Sequence, residues 1–234
     1  KAGLKSNVSI KLSQLGLMLD ADEAYRNLVR IVQRASACAN LVRVDMEDSS
    51  LTEITLDFVH RLKDQGFHNV GTVIQSYLYR SLEDTSRLVQ RGIPVRLVKG
   101  AYKEPESVAY QKKSDVDTNF DRLSEEMIAG ALADGARPVS QDGRFPPIVA
   151  IASHDEQRIR YAIQAAERKG LPKQSLEFQM LYGIRRDLQT ELRNQGYPVR
   201  VYVPYGSDWY PYFMRRLAER PANVWFFLSN LFHR

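Results

Sequence analysis

Eight short, apolar, β-rich runs alternate with amphipathic segments along this chain of 234 residues. The runs lie at residues 8–13, 41–46, 70–75, 94–100, 147–153, 176–181, 199–205 and 223–228. Strand followed by helix, repeated eight times, is the pattern of a (β/α)8 barrel, and the length fits one such domain. We therefore predict a single TIM-like α/β barrel domain over residues 1–234. An open doubly wound sheet is the competitor, but no G-x-G-x-x-G fingerprint follows any run.

Helix-capping signals stand in the segments between the runs. Asp20 is placed to cap a helix, with Glu23 three residues later. Gly66, Gly170 and Gly196 stand where three later helices should end, because glycine adopts the left-handed conformation of a helix C-terminus at little cost. Residues 133–147 are rich in glycine and proline, which predicts a long exposed loop.

Composition limits the class of protein. Cys38 is the only cysteine, which excludes a disulfide framework and favours a reducing compartment such as the cytoplasm. We predict that Cys38 is a small core residue within a helix. The net charge is +5, but 33 basic and 28 acidic residues are interleaved, so nucleic-acid binding is not expected. The apolar stretch at 222–232 is shorter than the roughly 20 residues that span a bilayer, and no signal peptide is visible.

Polar side chains recur near the carboxyl ends of seven runs, where a barrel carries its active site. They are Lys11, Asp45, Glu47, Gln75, Arg96, Lys99, Ser153, His154, Gln179, Tyr202 and Tyr205. Strands that face a core seldom carry such groups without partners. Any single cation of the runs, such as Arg43, Arg96 or Lys99, could equally point outward with its stem along a helix. The recurrence favours a large polar pocket for an anionic ligand, with Asp45 partly offsetting the cations.

The segment WYPYFMRRLAER, residues 209–220, places two arginines among apolar residues. Tyr212, Arg215, Arg216 and Glu219 follow the spacing i, i+3, i+4 and i+7, so they share one face of a helix. That face suits either bulk solvent or the mouth of the pocket, and the spacing alone does not decide between them. At the mouth, the guanidinium groups would bind a small carboxylate bidentately while the tyrosine covers its apolar side.

Seven motifs, in order and spread over nearly the whole chain, resemble those of the proline dehydrogenase family, especially its monofunctional bacterial members. They are VSIKLSQLG, VRVDMEDS, TVIQSYLYR, VRLVKGAYKEP, LEFQMLYG, YVPYG and YFMRRLAER. The resemblance implies a distorted (β/α)8 barrel that binds FAD and whose last helix lies over the barrel mouth. It implies oxidation of L-proline to Δ1-pyrroline-5-carboxylate, with electrons passed to a quinone and peripheral association with the inner membrane. The family carries helices before its first strand, which we expect this chain to lack.

The resemblance also implies roles for individual residues. Asp45 and Arg96 correspond to catalytic positions, with Arg96 near the flavin N5 and Asp45 supporting the cations. The implied substrate contacts are Lys11, Tyr102, Leu181, Tyr202, Tyr212, Arg215 and Arg216. The implied cofactor contacts are Met46, Gln75, Arg96, Lys99, Gly100, Ala101, Ser153, His154, Gln179 and Glu219. In this scheme Lys11, Arg215 and Arg216 grip the carboxylate of proline, and a tyrosine at position 202 is similar to the proline-specific branch.

Two other classes of function stay open from the residues. One is a Schiff-base aldolase on the same barrel, with Lys11 or Lys99 as the nucleophile. It would explain buried lysines but not the arginine pair, and borohydride trapping with a carbonyl substrate would reveal it. The other is a non-catalytic binding protein, for nucleic acid as one example, which rests on the basic pI of the chain. Binding that falls steeply with salt would be its marker.

Overall fold

A computed structural model describes residues 6–206 of the chain. Its strands are β1 (Val8–Ile10), β2 (Val42–Val44), β3 (Val70–Gln75), β4 (Val95–Val98), β5 (Val149–Ala152), β6 (Leu176–Leu181) and β7 (Val199–Tyr202). They form one sheet in chain order, and the pairs from β1–β2 through β5–β6 are parallel. This confirms the predicted barrel class. The predicted eighth strand, residues 223–228, lies outside the described residues.

A helix follows each of the first six strands. The helices are α1 (Ala21–Ala37), α2 (Thr52–Asp64), α3 (Ser81–Gln90), α4 (Lys113–Ala133), α5 (Glu156–Lys169) and α6 (Arg186–Asn194). The side chain of Asp20 accepts a hydrogen bond from the Glu23 N–H and caps α1, as predicted. Gly170 ends α5 in the left-handed conformation, also as predicted.

Three details of the sequence analysis need correction. β1 ends at Ile10 and a 3-10 helix begins two residues later, so Lys11 follows the strand instead of lying in it. Cys38 is exposed at the C-terminal cap of α1 and is not a core residue. The predicted loop after α4 is present, but Pro146 and Pro147 at its end are buried.

The hydrophobic core lies between the sheet and the helices. Alternate residues of the strands, such as Val44, Leu97 and Phe178, are fully buried there. The helices contribute the apolar stripes of their amphipathic surfaces, including Leu28 of α1 and Leu123 of α4. This packing fixes the register of each strand, because a slip of one residue would turn its apolar side chains to the opposite face.

The opposite face of the sheet, called the inner face below, carries Ser9, Arg43, Arg96 and Glu177 at adjoining register positions. The Arg96 guanidinium on β4 donates to Ser9 on β1 and to Gln179 on β6. Neighbouring strands lie about 4.8 Å apart, so β1 and β4 would be about 14 Å apart in a flat sheet. One side chain can reach both partners only because the sheet curls toward its inner face, as a barrel requires.

The chain divides into two compact units, Lys1–Arg200 and Val201–Arg234. The first contains α1 to α6 and β1 to β6, and residues 201–206 are the described part of the second. The prediction of one domain over residues 1–234 stays a prediction. Within residues 6–206, no helix is both long enough and apolar enough to cross a membrane.

Candidate active site

Arg96 is the centre of a hydrogen-bonded network on the inner face. It is 7% exposed, and its Nη1 lies 2.8 Å from Oδ1 of Asp45, just beyond β2. Its Nε donates to Oε1 of Gln179 at 2.5 Å and its Nη2 to Oγ of Ser9 at 3.0 Å. Because all three nitrogens of the planar guanidinium donate hydrogen bonds, its orientation and the position of its charge are fixed. The structure thus brings together three predicted site residues and adds Ser9.

A second layer lies behind this arginine and was missed by the sequence analysis. Gln179 donates through Nε2 to Oε1 of Glu177 at 2.5 Å. Arg200 grips the same carboxylate with Nε at 2.9 Å and Nη2 at 2.8 Å, and Glu177 is 1% exposed. The available signal was the two-residue spacing of Glu177 and Gln179 within one strand, which places both side chains on the same face.

Arg43 also lies on the inner face and is fully buried, so the interpretation of an outward-pointing side chain is wrong. Its Nη1 donates to the carbonyl oxygens of Thr72 at 2.9 Å and Pro94 at 3.2 Å. Its Nε and Nη2 have no hydrogen-bond partner among the described residues. Burial, assisted by the charge of Arg96, lowers the pKa of Arg43 to about 9. The guanidinium therefore keeps its charge at neutral pH, so the inner face holds two buried cations, Arg43 and Arg96.

Carboxylates join the loops at the carboxyl ends of the first strands. Glu47 accepts hydrogen bonds from the backbone N–H of Ser13 at 3.0 Å and from its Oγ at 2.6 Å. Gln75, at the end of β3, donates to the Glu47 carbonyl oxygen at 3.1 Å. Glu104, beyond β4, accepts from the N–H of Ser49 at 2.7 Å and also from its hydroxyl. These bonds hold the loops after β1, β2 and β4 in register around one end of the sheet.

Lys99 has carboxylate partners in α4 and at the N-cap of α5. Its Nζ lies 2.6 Å from Oδ2 of Asp155 and also contacts Asp117. Burial opposes ionisation of both carboxyls, but hydrogen bonds from Lys99, joined at Asp117 by Lys113, outweigh it and lower the pKa of each. The ammonium therefore ties the end of β4 to α4 and to the start of α5. Its role as a flavin contact stays a prediction.

Gly100 adopts a conformation that suits glycine, with φ of +115°. A Cβ atom at this position would lie 2.5 Å from the ring of Tyr77, whose hydroxyl donates to Glu104 at 3.4 Å. The two residues that follow are exposed, Ala101 and Tyr102, the latter by 39%. The close approach of the backbone to the tyrosine ring sets the path of the loop after β4.

We expect Gly100→Ala to lower the free energy of unfolding by about 3 kcal/mol, because it combines a left-handed backbone with a clash against a buried ring. Gly135→Ala is the matched control, since Gly135 also has positive φ, +81°, but nothing within 4 Å of the new methyl group. It should cost about 1 kcal/mol. Urea unfolding of both variants measures the difference, and equal losses would show that the contact with Tyr77 is unimportant.

The remaining predicted residues of the first unit lie at strand ends. His154, after β5, accepts through Nε2 a hydrogen bond from the backbone N–H of Leu181 at the end of β6, at 3.0 Å. Ser153 accepts through Oγ from the N–H of Asp155 at 3.0 Å. Met46 is buried just beyond β2. The ends of β5 and β6 are thereby joined directly, and the roles of these residues in binding stay predictions.

Tyr202 ends β7 and belongs to the second compact unit. Four further residues lie outside the described part of the chain: Tyr212, Arg215, Arg216 and Glu219. The helix predicted to lie over the barrel mouth lies there as well, so its placement stays a prediction.

Asp121 lies on α4, four residues after Asp117, and pairs with Nη1 of Arg158 at 3.0 Å. Burial raises the pKa of Asp121 from its ordinary value of 3.8 to about 6, despite the opposing charge of Arg158 and with a further contribution from Asp117. Between about pH 4 and 6 the folded protein therefore holds this proton more tightly than the unfolded chain. Its contribution to stability is greatest below about pH 4 and falls as the pH rises to 6.

We expect Asp121→Asn to remove the fall in the free energy of unfolding between pH 4 and 6. The fall should be only about 1 kcal/mol, because solvent screens part of the electrostatic interaction at this residue. Urea unfolding at pH 4, 5, 6 and 7 would show the wild type losing stability relative to the variant as the pH rises. Asp115→Asn, an exposed position on the same helix, is the control. Parallel stability curves for the wild type and Asp121→Asn would contradict the assignment.

Parallel strands that alternate with helices and carry charged and amide side chains at one end are the features of β/α-barrel enzymes. Comparison with known proteins gives the family. The proline dehydrogenase family model matches residues 2–228. Proline dehydrogenase 2 of Bacillus subtilis is 42% identical over 223 residues, 95% of this chain and 68% of that protein. The proline dehydrogenase of Deinococcus radiodurans is 43% identical, over 98% of this chain and 71% of the relative. The chain belongs to the proline dehydrogenase family.

A solved structure shows the same architecture. Proline utilization A from Bdellovibrio bacteriovorus, inactivated by N-propargylglycine, matches with a TM-score of 0.75 and 28% identity. The match covers 90% of this chain but only 24% of that one, so this chain is similar to one part of a much longer protein. The barrel class is thus supported both by the described strands and by a solved relative. Family membership gives the Schiff-base alternative no support.

Proposed function

We propose that the chain oxidises L-proline to Δ1-pyrroline-5-carboxylate with FAD as its cofactor and a quinone as electron acceptor. The observation that carries this proposal is the Arg96 guanidinium, held by three hydrogen bonds on the inner face of the sheet, in a member of the proline dehydrogenase family. Asp45 and Gln179 hold that cation in one orientation. In flavoenzymes the flavin carries out the redox chemistry, and the protein orients the flavin and the substrate.

The described residues fit a flavin in two respects. Oε1 of Gln75 is buried and has no hydrogen-bond partner among residues 6–206, so an acceptor is available for an N–H group of a bound ring. Ala101 and Tyr102 in the loop after β4 are exposed, so this loop presents surface that a ligand could contact. Arg96, Gln75 and the loop residues Lys99, Gly100 and Ala101 would hold the cofactor, together with Met46, Ser153, His154 and Gln179.

FAD, when bound, accepts a hydride from the substrate. The task of Arg96 is to stabilise the negative charge that develops on the cofactor, and Asp45 keeps its guanidinium in place. Lys11 and the arginines at 215 and 216 would anchor the substrate carboxylate, which fixes the far end of a rigid five-membered ring. The same cations disfavour a neighbouring ammonium, so they promote loss of the proline amine proton. Tyr102, Leu181, Tyr202 and Tyr212 would cover the apolar carbons.

A visible absorption spectrum of the purified chain tests the proposal. We expect FAD to bind with flavin bands that bleach on addition of L-proline, but not of D-proline, and return on addition of a soluble quinone. A chain that takes up no FAD would contradict the proposal, and so would flavin bands unaffected by L-proline. Borohydride inactivation with a carbonyl substrate would instead support a Schiff-base lysine. Sedimentation with anionic vesicles would test the peripheral membrane association that the family resemblance implies.

A further inference from the structure

Glu177 is a carboxylate of the inner face that is 1% exposed. In the hydrogen bonds given above, it is linked to Arg96 through Gln179. Its Oε1 accepts from Nε2 of Gln179 at 2.5 Å and from Nε of Arg200 at 2.9 Å. Its Oε2 accepts from Nη2 of Arg200 at 2.8 Å. The carboxylate is thus fixed on both oxygens, and Gln179 is the only neighbour in this set that also reaches Arg96.

The amide of Gln179 has one acceptor atom and one donor group, so its orientation matters. With Nε2 toward the carboxylate, Oε1 faces Nε of Arg96 at 2.5 Å and both hydrogen bonds pair a donor with an acceptor. The flipped amide would place an NH2 group against the guanidinium and an oxygen against the carboxylate. Both contacts would then be repulsive. Glu177 therefore determines which end of the amide meets Arg96.

Arg200 balances the charge of Glu177 and links it to a neighbouring loop. Its side chain is 13% exposed against 2% for Glu177, and the bidentate contact satisfies a carboxylate that would otherwise be costly to bury. Its Nη2 also donates to the Gly143 carbonyl oxygen at 2.8 Å, in the loop after α4. A chain of contacts therefore runs from that loop through Arg200, Glu177 and Gln179 to Arg96.

We infer that Glu177 is a positioning residue of the proposed flavin site, which fixes Gln179 and through it the guanidinium of Arg96. The inference rests on the proposed function, because it concerns how Arg96 meets the cofactor. It also predicts that replacing Glu177 changes the affinity for FAD in the direction opposite to the one expected from charge alone. Removal of a buried negative charge should tighten the binding of anionic FAD by Coulomb attraction, whereas loss of positioning should weaken it.

Titration of the full-length apoprotein with FAD, followed by flavin fluorescence, tests the inference without any turnover. We expect Glu177→Gln to raise the Kd for FAD about tenfold, the scale on which loss of an outer hydrogen-bond partner weakens metal sites. Gln179→Leu should raise it similarly. If Glu177 acts through Gln179, adding Glu177→Gln to Gln179→Leu should change the Kd by less than about twofold. Asp84→Asn, which removes a buried carboxylate from the Arg80 pair on α3, is the control and should leave the Kd unchanged.

Glu177→Gln leaves Arg200 without its ion pair and could fail to fold. The double variant Glu177→Met/Arg200→Met replaces the pair by apolar side chains of similar length, a change that buried pairs often tolerate, and it conserves net charge. The same rise in Kd is expected. An unchanged or lower Kd in the folded variant, or effects of Glu177 and Gln179 that multiply, would overturn the inference while leaving the proposed function in place. A wild-type chain that binds no FAD overturns both.

Discussion

Arg96→Met should lower the rate of flavin reduction by L-proline about 10²- to 10³-fold, the loss that follows removal of one fixed group that stabilises developing charge. The methionine fills similar space but carries no charge and no donors. Asp45, Gln179 and Ser9 each lose the hydrogen bond that Arg96 gives them. The KM for proline should change much less, because the proposed carboxylate contacts are elsewhere. Stopped-flow absorbance of the flavin band measures the rate directly.

Two further variants make this expectation specific. Arg96→Lys keeps the charge but loses the planar fork, so it should recover only part of the rate. Arg80→Met removes an arginine from an ion pair with Asp84 on α3 and should leave the rate of flavin reduction unaltered in the folded protein. A normal flavin spectrum and reduction rate in Arg96→Met would remove this residue from the site.

Arg216→Met should raise the KM for L-proline by about 10²-fold while the bound flavin stays visible. The reason is chemical: a guanidinium that pairs bidentately with a carboxylate contributes about 1.5–3 kcal/mol or more when shielded from water. The residue lies outside the described part of the chain, so this expectation rests on the helix spacing and the family motif. Steady-state kinetics over a wide range of proline concentrations provides the measurement.

Arg220→Met is the control for this second expectation. Arg220 follows Glu219 in the same predicted helix, and its removal takes the same charge from the same segment. It should leave the KM within about twofold of the wild type, because no contact with the substrate carboxylate is proposed for Arg220. An unaltered KM in Arg216→Met, or equal increases in both variants, would refute the proposed carboxylate contact.

The fold was largely predictable because its elements are local. β3 and β6 coincide with the predicted runs at 70–75 and 176–181. In both, apolar and β-branched residues form a short buried segment bounded by turn signals. Caps at Asp20 and Gly170 depend on residues within one helical turn, so sequence spacing was sufficient to find them.

The site was predictable only in part. Position near the carboxyl end of a run correctly singled out Asp45, Arg96 and Gln179 as neighbours in space. It did not distinguish Arg96, which lies on the inner face, from Lys99, which meets carboxylates in α4 and at the N-cap of α5. The sequence did contain a signal that separates them: Arg96 and Lys99 are three positions apart, so strand alternation places them on opposite faces. Glu177 was missed because it lies near the amino end of β6, whereas a barrel carries its active site at the carboxyl ends of the strands.

The sequence by itself determined the order of strands and helices, the face that each strand buries, and the family of the chain. These depend on periodicity and on motifs, which are properties of neighbouring residues. Only the tertiary structure decided which polar groups meet. The partners of Arg96 lie 51, 83 and 87 residues away along the chain, and its guanidinium reaches them because the parallel register and the curl of the sheet bring four strands within a side chain's length. Hydrogen bonds act only at about 3 Å, so no spacing in the sequence can specify them.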